Sequence, residues 1–506
     1  MTDAAPRPAR ARELRAGILA RYATGEFVTS GFAALPGLVL VFYLTDTLAV
    51  PALLAGAVVT VAKIWDIIID PIVGAYSDRE FAARGSRRRL MRLAAFVLPV
   101  FFVITFAVPT GTEPLLAAAW VFVAFLLAAT GFSFFQVPYN VLPAELVSGY
   151  DARTRLLSAR VVVLTAAILL YGGGGPALRE LGVELFGTDF GGYLFMAIGA
   201  AVIFIVAILV TSTVERAARG KVDAPAAPAS LAFTEIAPPR DSIATQARRG
   251  LVLLRSSTPF RTLLATFFIQ ALAAGGMLAG TQYIATWVLG DTDAVTILFV
   301  ALILPAIVAA PLWGVVARRI GKERAYVIAT TLFFLGALAN VGLLVVPGSW
   351  IVVPIGLVGI AYAGIQALPL SMLPDVIAHD ARTNGPGRGG SFSGMWTAGE
   401  TTGLAFGTTI LAVILAVSGY LESTAATAVE AQPTSAVFGI VMSFSLVPAT
   451  LMALSYIPLF RYPLRKKDID APADSAVGGG AFAPPRGPSA AGRPGPRVTS
   501  GESPPE

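Results

Sequence analysis

Cysteine is absent from the 506 residues. Disulfides, thiolate-ligated zinc, iron–sulfur clusters and cysteine nucleophiles are therefore excluded. A single histidine, His379, rules out a histidine-rich metal site. Charge is scarce as well: only 13% of residues are Asp, Glu, Lys or Arg, against about 25% in an ordinary soluble domain. What replaces the missing charge is apolar, at 56% of the chain. A soluble enzyme of usual composition and a disordered chain are both excluded, which leaves a polytopic membrane protein. The ten-residue alternation of β-barrel strands is missing. The Arg-rich, Pro-containing N-terminus shows no short apolar core before a small-residue cleavage site, so no cleavable signal peptide is expected.

A helix crosses the hydrocarbon with roughly 20 mostly apolar residues. Twelve stretches fit, at about 27–49, 52–75, 90–109, 115–139, 157–176, 191–212, 260–287, 294–317, 324–346, 350–372, 391–417 and 436–460. The expected fold is an all-α membrane protein with twelve transmembrane helices in two six-helix bundles. Arginines and lysines crowd alternate connections: Arg7 to Arg21 before the first span, Arg79 to Arg92 after the second, Arg153 and Arg155 after the fourth, Arg318 to Arg324 after the eighth. The positive-inside rule then puts both termini in the cytoplasm of a multi-pass cell-membrane protein. Residues 1–212 read as the N-terminal bundle, 213–259 as a cytoplasmic linker, 260–465 as the C-terminal bundle, and the Pro/Gly/Ser-rich 466–506 as a disordered cytoplasmic tail. Gly74-Ala-Tyr-Ser-Asp78-Arg79 closes the second span and Gly314 to Lys322 the eighth, a weak echo between halves such as duplicated transporters carry.

Charges inside spans need a reason, since each costs at least about 2.5–3.5 kcal/mol on the insertion scale. Lys63-Ile-Trp65-Asp66-Ile-Ile-Ile69-Asp70-Pro71 sets two carboxylates one turn apart on one helix face. Such a pair suits a small cation or a proton. The plainer reading is a structural Lys63–Asp66 ion pair, but one lysine leaves one carboxylate uncompensated. Pro71 is expected to weaken the helix and free carbonyls beside Asp70. Glu26, Ser133, Gln136, Asn140, Arg160, Gln366 and Glu400 are further polar residues within spans. Singly, each Ser, Gln or Asn reads as a helix–helix hydrogen bond; together they draw on both halves, as a solute cavity requires. Gly172–Gly175 reads as close packing or flexibility, not a nucleotide loop.

These residues resemble the major facilitator superfamily, in particular the glycoside–pentoside–hexuronide:cation symporters typified by melibiose permease. The resemblance covers about residues 20–465 and rests on Lys63-Ile-Trp65-Asp66…Asp70-Pro71…Gly74…Ser77-Asp78-Arg79, Pro138-Tyr139-Asn140…Glu145, Arg153-Thr-Arg155…Arg160, Leu373-Pro374-Asp375-Val-Ile and Gly394-Met-Trp396-Thr397. It implies alternating access, cation binding at Asp66, Asp70 and Ser133, and solute binding at Glu26, Gln136, Asn140, Arg160 and Gln366, with Trp396 and Glu400 as further solute candidates. Gly74, Asp78, Arg79 and Arg88 match its cytoplasmic gating loop. Ile69 and Gln136 depart from the sugar porters' asparagine and aspartate, and where helix XI of the family often carries a lysine the segment reads Gly399-Glu400-Thr401-Thr402. The Ile69 departure favours the proton over sodium as the coupling ion.

The expected function is cation-coupled symport, with H+ or Na+, of a sugar, glycoside or similar polar solute. Symport of a lysophospholipid or other amphiphile and proton-coupled efflux stand as alternatives. The partners expected are the bilayer and a small-molecule solute, with no nucleic acid, no cofactor, no metal beyond a possible sodium at Asp66 and Asp70, and no catalytic role. The chain is read as a monomer.

Overall fold

In the computed structural model the described residues are 16–146, 150–218, 253–291, 294–384, 389–423 and 431–464. The tail 466–506 and residues 219–252 of the linker lie outside them. The N-terminal bundle contains α1 (Glu26–Phe42), α2 (Ala52–Arg84), α3 (Arg88–Thr105), α4 (Pro114–Leu146), α5 (Tyr150–Phe186) and α6 (Asp189–Thr211). The C-terminal bundle contains α7 (Thr258–Tyr283), α8 (Ala294–Ile320), α9 (Lys322–Ala339), α10 (Val352–Asn384), α11 (Gly389–Val417) and α12, which is broken at Ser445 into Thr434–Phe444 and Leu446–Phe460. A short helix, Ala16–Ala23, leads into α1.

Eleven helical segments among the described residues are long and apolar enough to cross a membrane. The remaining one of the twelve, α3, opens with Arg88, Arg89 and Arg92 and turns apolar only above them. Large apolar side chains cover the flanks, among them Leu53, Val123, Val202, Val308 and Val353, where lipid rather than water meets them. Several helices outrun the apolar stretch that marks them. α2 extends nine residues past the expected end at 75, and α10 twelve past 372. Their extra turns carry Ser77, Asp78 and Glu80 in one case and Asp375 and Asp380 in the other, polar groups that hydropathy discounts but a helix accommodates. The connection expected at 177–190 shrinks for the same reason, since α5 runs to Phe186. α2 continues through Pro71 to Arg84 without a break. The ring still removes one backbone donor, so the carbonyl one turn earlier loses its helical partner.

The halves repeat each other. Their second helices end at left-handed glycines, Gly85 (φ 62°) and Gly321 (φ 94°), a conformation that costs a β-carbon-bearing residue about 1 kcal/mol or more. Their first helices, α1 and α7, both finish in a π-helical turn, Tyr43–Thr47 and Ile284–Leu289. Single π turns concentrate at functional places. We call the end bearing these π turns distal and the end nearer Ala16 proximal.

Within the N-terminal bundle α3 packs on α4 and α6, α2 on α4, and α1 on α5; within the C-terminal bundle α8 packs on α10, α7 on α11 and α12, and α9 on α10. The bundles meet along α1–α7, α2–α11 and α5–α8. Each seam has a glycine at its closest approach: Gly37 against Leu278, Gly56 against Ala412, Gly172 against Phe299. A β-carbon at Gly56 or Gly172 would overlap the opposing side chain. Gly172–Gly175 is thus a packing surface, with Thr296 also donating to the Gly173 carbonyl at 3.2 Å.

Candidate functional site

Two polar clusters sit in the N-terminal bundle and one in the C-terminal bundle. The first is built on α2. Asp66 lies 14 residues into that helix, about 21 Å along it at 1.5 Å per residue. Lys63 Nζ stands 3.6 Å from Asp66 Oδ2, and also lies over the Phe32 ring at 5.2 Å. The ion pair expected as the plain reading therefore exists, yet it uses one oxygen. Asp66 Oδ1 is buried with no hydrogen-bond partner, and the buried hydroxyl of Ser133 faces Asp70 from α4. Trp65 is fixed beside them, its Nε1 donating to Thr130 Oγ1 at 3.0 Å. Orphaned buried oxygens are rare and expensive, so three oxygen-bearing groups from two helices make a place for a proton or a hard cation. Among the described residues no group of three or more His, Cys, Asp or Glu forms a conventional metal centre.

The second cluster joins α1, α4 and α5. Ser133, Gln136 and Asn140 fall at i, i+3 and i+7, one stripe of α4. Arg160 of α5 reaches Glu26, whose side chain is fully buried, through a short ion pair from Nε to Oε1. Its Nη1 reaches Asn140 Oδ1 at 3.4 Å and the Tyr22 hydroxyl at 3.5 Å. The guanidinium lies over the Tyr139 ring at 4.9 Å, and Tyr139 in turn stacks on Tyr22 and Phe135. Tyr139 donates to the Tyr22 carbonyl at 3.1 Å and lies 3.4 Å from Glu26. Thr29 donates to Gln136 Oε1 at 2.8 Å, and Gln136 Nε2 donates to Asn140 at 3.5 Å. Glu26 Oε2 is left without a partner. The structure thus joins four of the expected solute residues and adds Tyr22, Thr29 and Tyr139. Tyr139 was inside a quoted motif, and Tyr22 is one turn before Glu26; an aromatic at either place reads as core until its partner is known.

The third cluster is a cleft between α7, α10 and α11, lined in part by Phe267, Gln270, Tyr362, Gln366 and Glu400. Gln366 Nε2 donates to the Tyr362 hydroxyl at 3.3 Å. Trp396 does not line it but stacks behind Phe267 at 4.4 Å, its indole nitrogen buried without a partner. Among the described residues no hydrogen bond joins Gln366 to Gln136, Asn140 or Arg160. Gln270, missed in the sequence, is held by Tyr326 at 2.7 Å, Thr330 at 3.0 Å and Ser455 at 3.2 Å, a neutral knot that fixes α7 to α9 and α12.

At the proximal end the gating residues part company. Asp78 pairs with Arg87 at 2.8 Å, not with Arg79 or Arg88, and Arg87 Nη1 also donates to Ser77 at 2.7 Å. Glu215, just past α6, accepts from the Arg87 backbone at 2.9 Å and from the Ser86 hydroxyl. Arg79 is exposed, Arg88 Nε is buried without a partner, and Gly74 meets only Val137. Arg153, Arg155 and Glu145 have side chains outside the described set, and Arg388 lies outside the described residues.

A family model described as MFS/sugar transport protein matches residues 21–466. The chain belongs to this family. It is a multi-pass membrane transporter, and its work is secondary active transport rather than bond chemistry. It is 24% identical to the glucuronide carrier protein homolog of Escherichia coli over 88% of this chain and 92% of that one. It is 23% identical to the isoprimeverose transporter of Lactiplantibacillus pentosus over 88% of each. Its fold matches a crystal structure of a D-xylose–proton symporter, with a TM-score of 0.64 at 15% identity over 89% of this chain and 98% of that one. The transporter therefore has the twelve-helix, two-bundle architecture expected for it.

Proposed function

We propose that this transporter carries a sugar or glycoside across the cell membrane by alternating access, driven by a proton or sodium ion that moves with it. The observation that carries the coupling is the oxygen set at Asp66, Asp70 and Ser133, with Asp66 Oδ1 buried and unpartnered, Ser133 facing Asp70, and Lys63 committed to a single oxygen. Ile69, beside the pair on α2, offers no oxygen, which favours the proton. Glu26, Gln136, Asn140 and Arg160 form the N-terminal half of the solute site, a fork of donors and an open carboxylate oxygen suited to vicinal hydroxyls. Gln366 and Glu400 form the C-terminal half, with Trp396 as support behind Phe267. The related glucuronide and isoprimeverose transporters support this substrate class.

In this reading the proximal end faces the cytoplasm, where the arginines concentrate, and both termini with it. Residues 1–212 and 260–465 are the moving bundles, 213–259 the cytoplasmic linker, 466–506 the tail, and the monomer is the working unit. Gly74, Asp78, Arg79 and Arg88 belong to the inner gate. The test is uptake into reconstituted vesicles of neutral sugars, glycosides and lysophospholipids under imposed pH or sodium gradients. Asp66→Asn and Asp70→Asn should each abolish accumulation against a gradient at normal expression. Normal accumulation by both variants would refute the coupling role, and accumulation of a lysophospholipid but of no sugar would replace the substrate class.

A further inference from the structure

The two halves of the solute site carry different charge. On the N-terminal bundle the ionic groups cancel, since Arg160 is engaged by Glu26. On the C-terminal bundle the cleft has one charged lining residue, Glu400. Among the described residues no Lys or Arg lies within ion-pair distance of it. Glu400 lines that cleft and is mostly buried without being sealed into the core. Its neighbours there, Gln270, Tyr362 and Gln366, are neutral, and Phe267 supplies an aromatic wall braced by Trp396.

From this geometry we infer that Glu400 is a charge-selecting residue: the transporter takes neutral or amine-bearing glycosides and rejects uronates. The inference rests on the glycoside reading above and narrows it. A carboxylate accepts hydrogen bonds from sugar hydroxyls and, more strongly, from an ammonium group. The apolar wall suits the C–H face of the same ring. A solute carboxylate would instead be brought against a second carboxyl group with no cation to offset the pair, and such juxtaposition is how binding sites exclude wrong partners. The chain's relative named for glucuronide would differ from it in this respect.

The experiment measures binding and uptake of three probes by the reconstituted full chain: methyl β-D-xyloside, glucosamine and methyl β-D-glucuronide. The wild type should prefer each of the first two over the uronide by about 100-fold, the scale of one like-charge contact at partial burial. Glu400→Gln, which keeps size but removes the charge, should weaken xyloside binding and shrink that gap about tenfold. Glu400→Lys should invert it. If the xyloside binds to all three proteins and the order of probes does not change, the inference is overturned and the glycoside reading stands. If the wild type binds none of the three probes, the glycoside reading falls and this inference falls with it.

Discussion

The distal and proximal ends of the bundles use their polar groups in opposite ways. At the distal end Arg179 and Asp189 pair within one bundle at 2.8 Å, but a set of polar contacts also runs between bundles. Asp46, in the π turn of α1, accepts from Trp287 Nε1 at 2.9 Å in the π turn of α7 and from the Tyr420 hydroxyl at 2.6 Å beyond α11. Thr45 meets the Tyr283 hydroxyl at 2.7 Å, and Ser423 bonds to both Thr45 and Asp46 backbone carbonyls. Glu422 accepts from the Ala52 backbone at 3.1 Å. Among the described residues the proximal ion pairs stay within a bundle: Asp78 and Arg87 belong to one, and Lys322 and Asp375, 2.5 Å apart, to the other. The distal end is stitched across the interface, whereas among the described residues the proximal ion pairs are internal to a bundle.

The seams of glycine offer the sharpest way to break that comparison. Gly172→Ala would drive a β-carbon into Phe299 across the α5–α8 seam, a contact that exists only while the distal end is shut. Overpacking costs about 1–3 kcal/mol, so the ratio of distally shut to distally open molecules should fall by up to about 100-fold. The chain's lack of cysteine makes the measurement direct. Spin labels on Thr47→Cys and Ser418→Cys should move apart in the Gly172→Ala background while the protein remains folded. Gly359→Ala is the matched control. There the overlap is with the Leu302 carbonyl inside the C-terminal bundle, so it persists in every state. That variant should lower the melting temperature and leave the label distance unchanged.

How legible this was follows from the same residues. Asp66, Asp70 and the stripe Ser133, Gln136, Asn140 were visible because helical periodicity is local: residues one turn apart share a face whatever the tertiary structure. Arg160 and Glu26 stood out by composition, being charges in apolar spans, and the structure makes them partners. The distal latch was invisible. Its donors come from residues 283, 287, 420 and 423, and none is unusual in its own stretch, while Asp46 sits at a span's end where a carboxylate raises no question. The partner of Asp78 was missed for a related reason. Arg87 is one of five arginines between 79 and 89, and only folding decides that it, rather than Arg79 or Arg88, turns inward.

The latch itself should be worth less than the seams. Asp46→Ala removes an acceptor from Thr45, Trp287 and Tyr420. Their donors regain water once the distal end opens but not while it is shut, so the loss falls on the shut state alone. Hydrogen bonds to a charged acceptor contribute about 1.5–3 kcal/mol in favourable cases, and part of that returns through rearrangement. A shift of about tenfold toward the distally open state is expected by the same pair of labels, together with faster labelling of Tyr283→Cys from the distal side. An unchanged distance in Asp46→Ala would mean that the glycine seams alone hold this end shut.

The smallest effect should come from the proximal end, and it probes whether that end is passive in this state. Asp78 is about a third exposed, 38% by side chain, whereas Arg87 is nearly buried at 6%. Asp78→Asn removes the charge but keeps the shape, and Arg87 retains its bond to Ser77. A partly exposed pair contributes about 0.2–1 kcal/mol, and solvent screening lowers it further. Because both partners ride on the same bundle, that loss is shared by the distally shut and distally open states. Asp78→Asn should therefore lower thermal stability slightly and leave the distance between the labels at 47 and 418 as it was. A change in that distance as large as the one from Asp46→Ala would show that Asp78 engages the opposite bundle once the proximal end closes, making the two ends alternate forms of one latch instead of one latch and one brace.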